Sequence, residues 1–324
     1  MTLLLADISA QAPLLDGLLS AQAGALDAAR EALRGHRLVR LVGLGSSRHV
    51  AGFGAACLEV CGGLAASVLP APGAGVPLPR FAPDQVVVVV SQSGQGPALL
   101  EVLRAASAAG ATALALTNSP GSPVEDAADL VVPTGAGAEG VIPATKSVTS
   151  MMLLLRALAG PVPTAAVSRL AALVGELVSD LTTAGGRLAA VTGSRAVPAV
   201  VVGGCFAGQW VADEVALKLA ETAGHLAASE SLVDFLHGPA AVAAPALALL
   251  DPADPNAHAV AGRADVLTVG PSPDYSLPLG RCGDAPLDAI LAVVAGQCLA
   301  LGWATSLGVD PDDPRGLRKV TMTR

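Results

Sequence analysis

At 324 residues, with 52% hydrophobic and 14% charged residues, the chain is too apolar for disorder and long enough for two ordinary domains. Only 2% of residues are aromatic, so valine, leucine and alanine have to fill the core. A formal net charge of -8 removes the electrostatic basis for nucleic acid or an anionic membrane as partner, and any anionic ligand must be held by local geometry.

In chain order, residues 1–34 read as an N-terminal helix, with Leu14, Leu15, Leu18 and Leu19 on one face and Arg30 near its end. No basic segment opens the chain, and Asp7 interrupts the first apolar run, so a secretory leader is not expected. A strand over 38–43, a helix over 49–64 and strands over 66–69 and 86–90 follow, the rhythm of a parallel sheet covered on both faces. At an offset of about 160 residues the pattern returns: Val200, Val201 and Val202 enter Gly203-Gly204, and 246–250 answers 86–90. The segment 161–193, opened by Pro161 and Pro163, reads as a helical linker between two halves at 35–160 and 194–310. Residues 289–309 are uncharged and reach the ~20 residues a bilayer needs. Gly296, Gln297 and Gly302 favour instead a helix packed in an interior or at a subunit interface, with no membrane partner. A proline-rich tail, 311–324, closes the chain and would be ordered only by folding back over something.

Cys57, Cys61, Cys205, Cys282 and Cys298 form no CxxC pair, and their odd number suits a reducing, cytoplasmic setting. His36, His49, His225, His237 and His258 lack metal-ligand spacing, so no metal is expected.

Two turns carry the first functional reading. The valine strand runs into Ser91-Gln92-Ser93-Gly94-Gln95-Gly96, and Pro97 then suits the first position of a helix. A helix N-terminus presents free N–H groups and partial positive charge, and the serines add hydroxyl donors, which together suit a phosphate. A plain serine N-cap is the competing reading. Gly43-Leu44-Gly45-Ser46-Ser47 also lies between a strand and a helix, so both turns belong at the carboxyl edge of one sheet, where open parallel sheets bind ligands. A dinucleotide is not expected there, because Arg48 replaces the third glycine and 66–69 lacks a ribose-binding acid; no cofactor is expected.

Three of the 19 lysine and arginine residues are lysine, whose compact ammonium, unlike a guanidinium, can lose its proton or form a Schiff base. Lys146 follows Glu139-Gly140 and Thr145 at a helix start. Lys218 shares a helical face with Glu214 and Glu221, four and three residues away, either as a surface salt-bridge ladder or as part of a site. Lys319 lies in the tail.

Taken together, Gly45-Ser46-Ser47, Ser91-Gln92-Ser93-Gly94, Ala144-Thr145-Lys146, Ala216-Leu217-Lys218-Leu219-Ala220-Glu221, Phe235-Leu236-His237-Gly238-Pro239 and Pro314-Arg315-Gly316-Leu317-Arg318-Lys319 resemble the sugar isomerase (SIS) fold. The likeness is to the isomerase half of glucosamine-6-phosphate synthase and to lone SIS-type glucosamine-6-phosphate deaminases. It implies an α/β protein of two tandem SIS domains, each a three-layer, flavodoxin-like parallel sheet flanked by helices. With Met1-Thr2-Leu3 in place of a glutaminase domain, the lone deaminases are the nearer likeness. The resemblance implies that Gly45, Ser46, Ser47, Ser91, Gln92, Ser93, Gln95, Thr145 and Lys146 hold a phosphorylated amino sugar. It further implies that Glu221 moves a proton between C1 and C2, that His237, donated across a homodimer, opens the ring, that Lys218 tunes Glu221, and that Lys319 closes the pocket. Two positions depart from the pattern: Gly96 replaces a hydroxyl residue, and 228–233 lacks the usual acidic segment. A ketose/aldose isomerase or deglycase is the alternative chemistry, and a non-catalytic sugar-phosphate sensor the alternative class.

Overall fold

The structure, a computed structural model, describes residues 2–70, 77–183, 185–242 and 244–313. Lys319 and the rest of the tail from residue 314 lie outside the described residues.

Val86, Val87, Val88, Val89 and Val90 carry branched Cβ atoms that suit a pleated strand, and burial on both faces removes any need for alternation. They form the centre of β3 (Gln85–Ser91), none more than 1% exposed. Beside it lie β1 (Leu38–Val42), β2 (Ala66–Val68), β4 (Thr112–Thr117) and β5 (Leu130–Pro133), all parallel, in the order β2-β1-β3-β4-β5. The residues expected as one N-terminal helix are three: α1 (Leu3–Ser9), α2 (Gln11–Ala21) and α3 (Ala23–Leu33). Pro13, in the first turn of α2, has no N–H to return to the turn before it, and the chain bends by 47° between α1 and α2. Helix α4 (Ser46–Val60) starts three residues earlier than the apolar pattern placed it, which makes Ser46 and Ser47 helical. Helices α5 (Pro97–Ala108), α6 (Pro123–Asp126) and α7 (Lys146–Leu158) complete this part, where α5 and β3 share a core of Val87, Val89, Leu99, Val102 and Leu103.

The second sheet holds β6 (Val200–Gly204), β7 (Ala228–Ser231), β8 (Ala246–Leu250), β9 (Val266–Gly270) and β10 (Leu277–Pro278), again all parallel, in the order β10-β9-β8-β6-β7. Counted within its own sheet, each therefore reads 2-1-3-4-5. Its helices are α8 (Thr164–Thr182), α9 (Arg187–Ser194), α10 (Gly208–Ala223), α11 (Leu232–Leu236), α12 (Ala257–Ala261) and α13 (Ala285–Leu307). By compactness, Gly17–Glu139 with Ser147–Val162 make one unit, while the described residues up to Asp16, Gly140–Lys146 and those from Pro163 to 313 make the other. The segment expected as a linker is thus α8 and α9, both packed on α13 within the second unit.

Among the described residues α13 is the one single helix long and apolar enough to cross a membrane, and 78% of its most apolar window is buried. It packs on α8, α9 and α10. A Cβ on Gly296 would sit 2.4 Å from Val215 Cγ2, so glycine is what lets α10 approach. Gln297 Oε1, 2% exposed as a residue, accepts a hydrogen bond from Gln11 Nε2 at 2.9 Å.

In each sheet the chain leaves its first strand toward one neighbour and then crosses to the other side. The switch points are β1/β3 and β6/β8, where such sheets open a crevice at their carboxyl ends.

Candidate functional site

The turns singled out from sequence flank the first switch point, because Val42 pairs with Val89 and both strands end there. Ser91 closes β3 and is buried; Gln92 and Ser93 are half-buried and Gln95 is exposed. Neither serine caps α5. Its N-cap is Gly96, which offers no side chain, so the helix start keeps donors that no side chain covers. Ser91 Oγ accepts from Gly94 N–H at 3.0 Å, and Ser93 Oγ accepts from Gln95 N–H at 3.3 Å. Those bonds use oxygen lone pairs and leave each hydroxyl proton available to donate. Across the crevice, Gly45 is the uncapped N-cap of α4, Ser46 its half-buried first residue and Ser47 is buried. Two helix starts without side-chain caps thus follow adjacent parallel strands, with serines in or beside each, an arrangement that suits a phosphate.

Residues after β4 brace this turn, and sequence reasoning passed over them. The Gln92 carbonyl accepts from Asn118 N–H at 3.3 Å and Ser119 Oγ at 3.1 Å, and the Gly94 carbonyl from Val124 N–H at 3.2 Å. Gly94 has φ 62, and a Cβ there would lie 2.1 Å from Ser122 Oγ, so only glycine fits the turn. The polar cluster Asn118-Ser119-Pro120-Gly121-Ser122 was the available signal, since it follows the strand paired with β3.

Thr145 is 1% exposed. Lys146 opens α7, but its ammonium lies 2.9 Å from Asp7 Oδ1, with the side chains 12% and 9% exposed. Asp7 Oδ2 also accepts from Gly140 N–H at 2.9 Å, so one carboxylate holds both ends of Gly140–Lys146. Glu139 in turn accepts from Ser147 N–H at 3.1 Å and Ser147 Oγ at 2.6 Å, capping α7.

Helix α10 carries Glu214, Lys218 and Glu221, the residues expected from sequence to move a proton. Its N-cap Ala207 is the one described non-glycine residue with positive φ, at 54. Lys218 and Glu214 are 1% and 2% exposed, with Lys218 Nζ 3.5 Å from Glu214 Oε1, and Lys218 also donates to Glu221, whose side chain is 18% exposed. The ladder is therefore buried, unlike a surface pair worth a fraction of a kcal/mol. Removing one partner from such a set costs roughly 3–5 kcal/mol through the charge left behind. A glutamate gripped by a buried ammonium yet still reachable from solvent is equipped to take and return a proton. His237 is exposed at the C-cap of α11. A cysteine nucleophile finds no support nearby: burial, with Asp251 adding, pushes the Cys205 thiol up to about 12. Among the described residues no group of His, Cys, Asp and Glu is placed to hold a metal ion.

Residues 33–160 match the family model described as the SIS domain. Glutamine–fructose-6-phosphate aminotransferase [isomerizing] of Halobacterium salinarum is 31% identical over 91% of this chain and 53% of that protein. The chain thus spans about half the length of the curated relatives it matches. A candidate phosphosugar isomerase from Silicibacter pomeroyi superposes with a TM-score of 0.82 at 25% identity, covering 96% of this chain and 100% of that one. The glucosamine-6-phosphate deaminase of Thermotoga maritima shares the fold, with a TM-score of 0.78 at 21% identity over 99% and 100% of the two chains. The paired serine turns at the β1/β3 switch point thus lie within a SIS domain, in a chain homologous to the isomerase domain of glutamine–fructose-6-phosphate aminotransferase.

Proposed function

We propose that this chain is an aminosugar-phosphate deaminase/isomerase that converts glucosamine 6-phosphate to fructose 6-phosphate and ammonia. The observation that carries the proposal is Lys218, buried between Glu214 and Glu221, in a chain whose SIS domain ends β3 on a braced Ser91-Gln92-Ser93-Gly94 turn. In this reading Ser46, Ser47, Ser91, Gln92, Ser93 and Gln95 hold the phosphate, and Gly96 leaves part of that task to backbone N–H groups. Thr145 contacts the sugar, while Lys146 acts through Asp7 on the loop before α7.

Chemically, His237 protonates O5 as the C1–O5 bond breaks and the C1 hydroxyl gives up its proton, opening the ring. Glu221 then takes the C2 proton and returns it to C1 while one proton of the substrate's ammonium passes to O1, so the aldehyde becomes a primary alcohol and C2 an imine. Water adds at C2 and ammonia leaves, which balances the conversion to the ketose. Lys218 holds Glu221 in place. In the same reading the second five-stranded unit is a second SIS domain, supported by its like strand order, and the active form is a cytoplasmic homodimer in which His237 is shared across subunits.

A second reading, aldose/ketose isomerisation of another phosphosugar, draws on the Silicibacter likeness and needs the same proton transfer without loss of nitrogen. Purified protein supplied with glucosamine 6-phosphate tests the two. Release of ammonia with equimolar fructose 6-phosphate supports deamination. Absence of ammonia together with isomerisation of a different phosphosugar rejects it.

A further inference from the structure

We propose that Asp213 is a positioning residue for His237, holding the strand that leads to it against the helix that carries Lys218 and Glu221; this rests on the reading of His237 as a catalytic residue. Strand β7 lies at the sheet edge, paired on one side with β6. Its sequence, Ala228-Ser229-Glu230-Ser231, has no large apolar side chain to press into a core, and a strand of this kind is weakly specified in register.

Helix α10 supplies the missing hold. Asp213 Oδ1 accepts from Ser229 Oγ at 2.7 Å and from Gln209 Nε2 at 2.7 Å, and Gln209 Nε2 also donates to the Ser229 carbonyl at 3.4 Å. The hydroxyl and the carbonyl of one strand residue are thus gripped by side chains four apart on the helix, which share a face. Two residues on, Ser231 Oγ accepts from Asp234 N–H at 3.1 Å and caps α11. At the other end of that short helix the His237 N–H donates to the Val233 carbonyl at 3.2 Å and the Asp234 carbonyl at 3.1 Å. From Ser229 to His237 the backbone is a run of local bonds, so a slip at Ser229 is carried to the imidazole. A misplacement of about 1 Å in a reacting group costs on the order of 10²-fold in rate.

The test uses the full chain with Asp213→Ala, Ser229→Ala, the double variant and Asp213→Asn. Hydrogen exchange in peptides over 228–240 should quicken at least ~10-fold in Asp213→Ala, with β3 and β4 unchanged, as expected for loss of a local hold. On glucosamine 6-phosphate kcat should fall about 10- to 100-fold with KM within about twofold. Solvent deuterium exchange into 5-deoxyfructose 6-phosphate, which has no ring to open, should stay within about twofold because Glu221 is undisturbed. The double variant should be no worse than either single one, and Asp213→Asn, which keeps an oxygen acceptor, should recover most of the rate. Unchanged exchange over 228–240, or an equal fall on both substrates, overturns the proposal. A parent inert on both substrates rejects the deaminase/isomerase reading instead, and the exchange experiment still decides whether Asp213 holds the segment.

Discussion

The two sheets share one strand order, yet their switch points are chemically opposite. At β1/β3 stand uncharged turns of serine, glutamine and glycine. At β6/β8 stand Cys205 and Asp251, and Asp251 Oδ1 accepts from Arg281 at 2.7 Å and from Ala253 N–H at 2.9 Å. Arg281 also reaches Asp288 at 3.5 Å. The cavity lined by Cys205, Asp251 and Asp288 is about 10 Å³, room for a single water. Burial works to raise Asp251, but the hydrogen bonds from Arg281 and Ala253 outweigh it and hold the carboxyl below its ordinary value. Asp288 goes the other way, raised by burial. Parallel topology creates a crevice wherever strand order reverses; the two or three residues that end each strand decide whether an anion is welcome in it.

The largest effect expected from breaking this comparison is at Glu221. Glu221→Gln should lower kcat by about 10²- to 10⁴-fold while calorimetry shows glucosamine 6-phosphate still bound, since the turns proposed to hold the phosphate lie in the first sheet. Gly94→Val comes next: a β-branched side chain at positive φ and in collision with Ser122 should cost about 2–3 kcal/mol in urea unfolding and abolish ligand binding. Ser91→Ala and Ser93→Ala should each raise KM by about tenfold, the loss of one hydrogen bond to a charged group, whereas Asp251→Ser should leave KM unchanged. Equal losses at both switch points would mean that both crevices bind.

Smaller still is Arg281→Ala. Asp251 has a folded-state pKa below its unfolded value of about 3.9, so its contribution is present above that pH and fades as pH falls through the folded value. The parent should therefore exceed the variant by under ~1 kcal/mol near neutrality, the pair being partly exposed, and the gap should close below about pH 4. Ligand stoichiometry should not change. Least visible is Cys205, whose thiol is pushed up to about 12 by burial, so native alkylation mapped by mass should leave it unlabelled.

Features that depend on neighbours in sequence were legible before any coordinates. The valine run made β3, the glycine and serine turns fell after β1 and β3, and Glu214, Lys218 and Glu221 lay on one helical face, because strand, turn and helix periods are set within a few residues. Periodicity did not separate a surface ladder from a buried one; that waited on what covers α10. It also left the N-terminal segment as one helix, since the pattern of leucines continues through Pro13 while the hydrogen bonds do not.

The sequence by itself determined the α/β rhythm, the two phosphate-suited turns and the face of α10 that carries charge. Only the tertiary structure decided that Lys146 belongs to Asp7, that Asn118 and Ser119 brace Gln92, that Asp213 grips Ser229, and that Arg281 pairs with Asp251 at the second switch point. Each of those pairs joins residues that meet only once strand order brings their elements together. Strand order is chosen by the burial of whole faces and not by any local pattern.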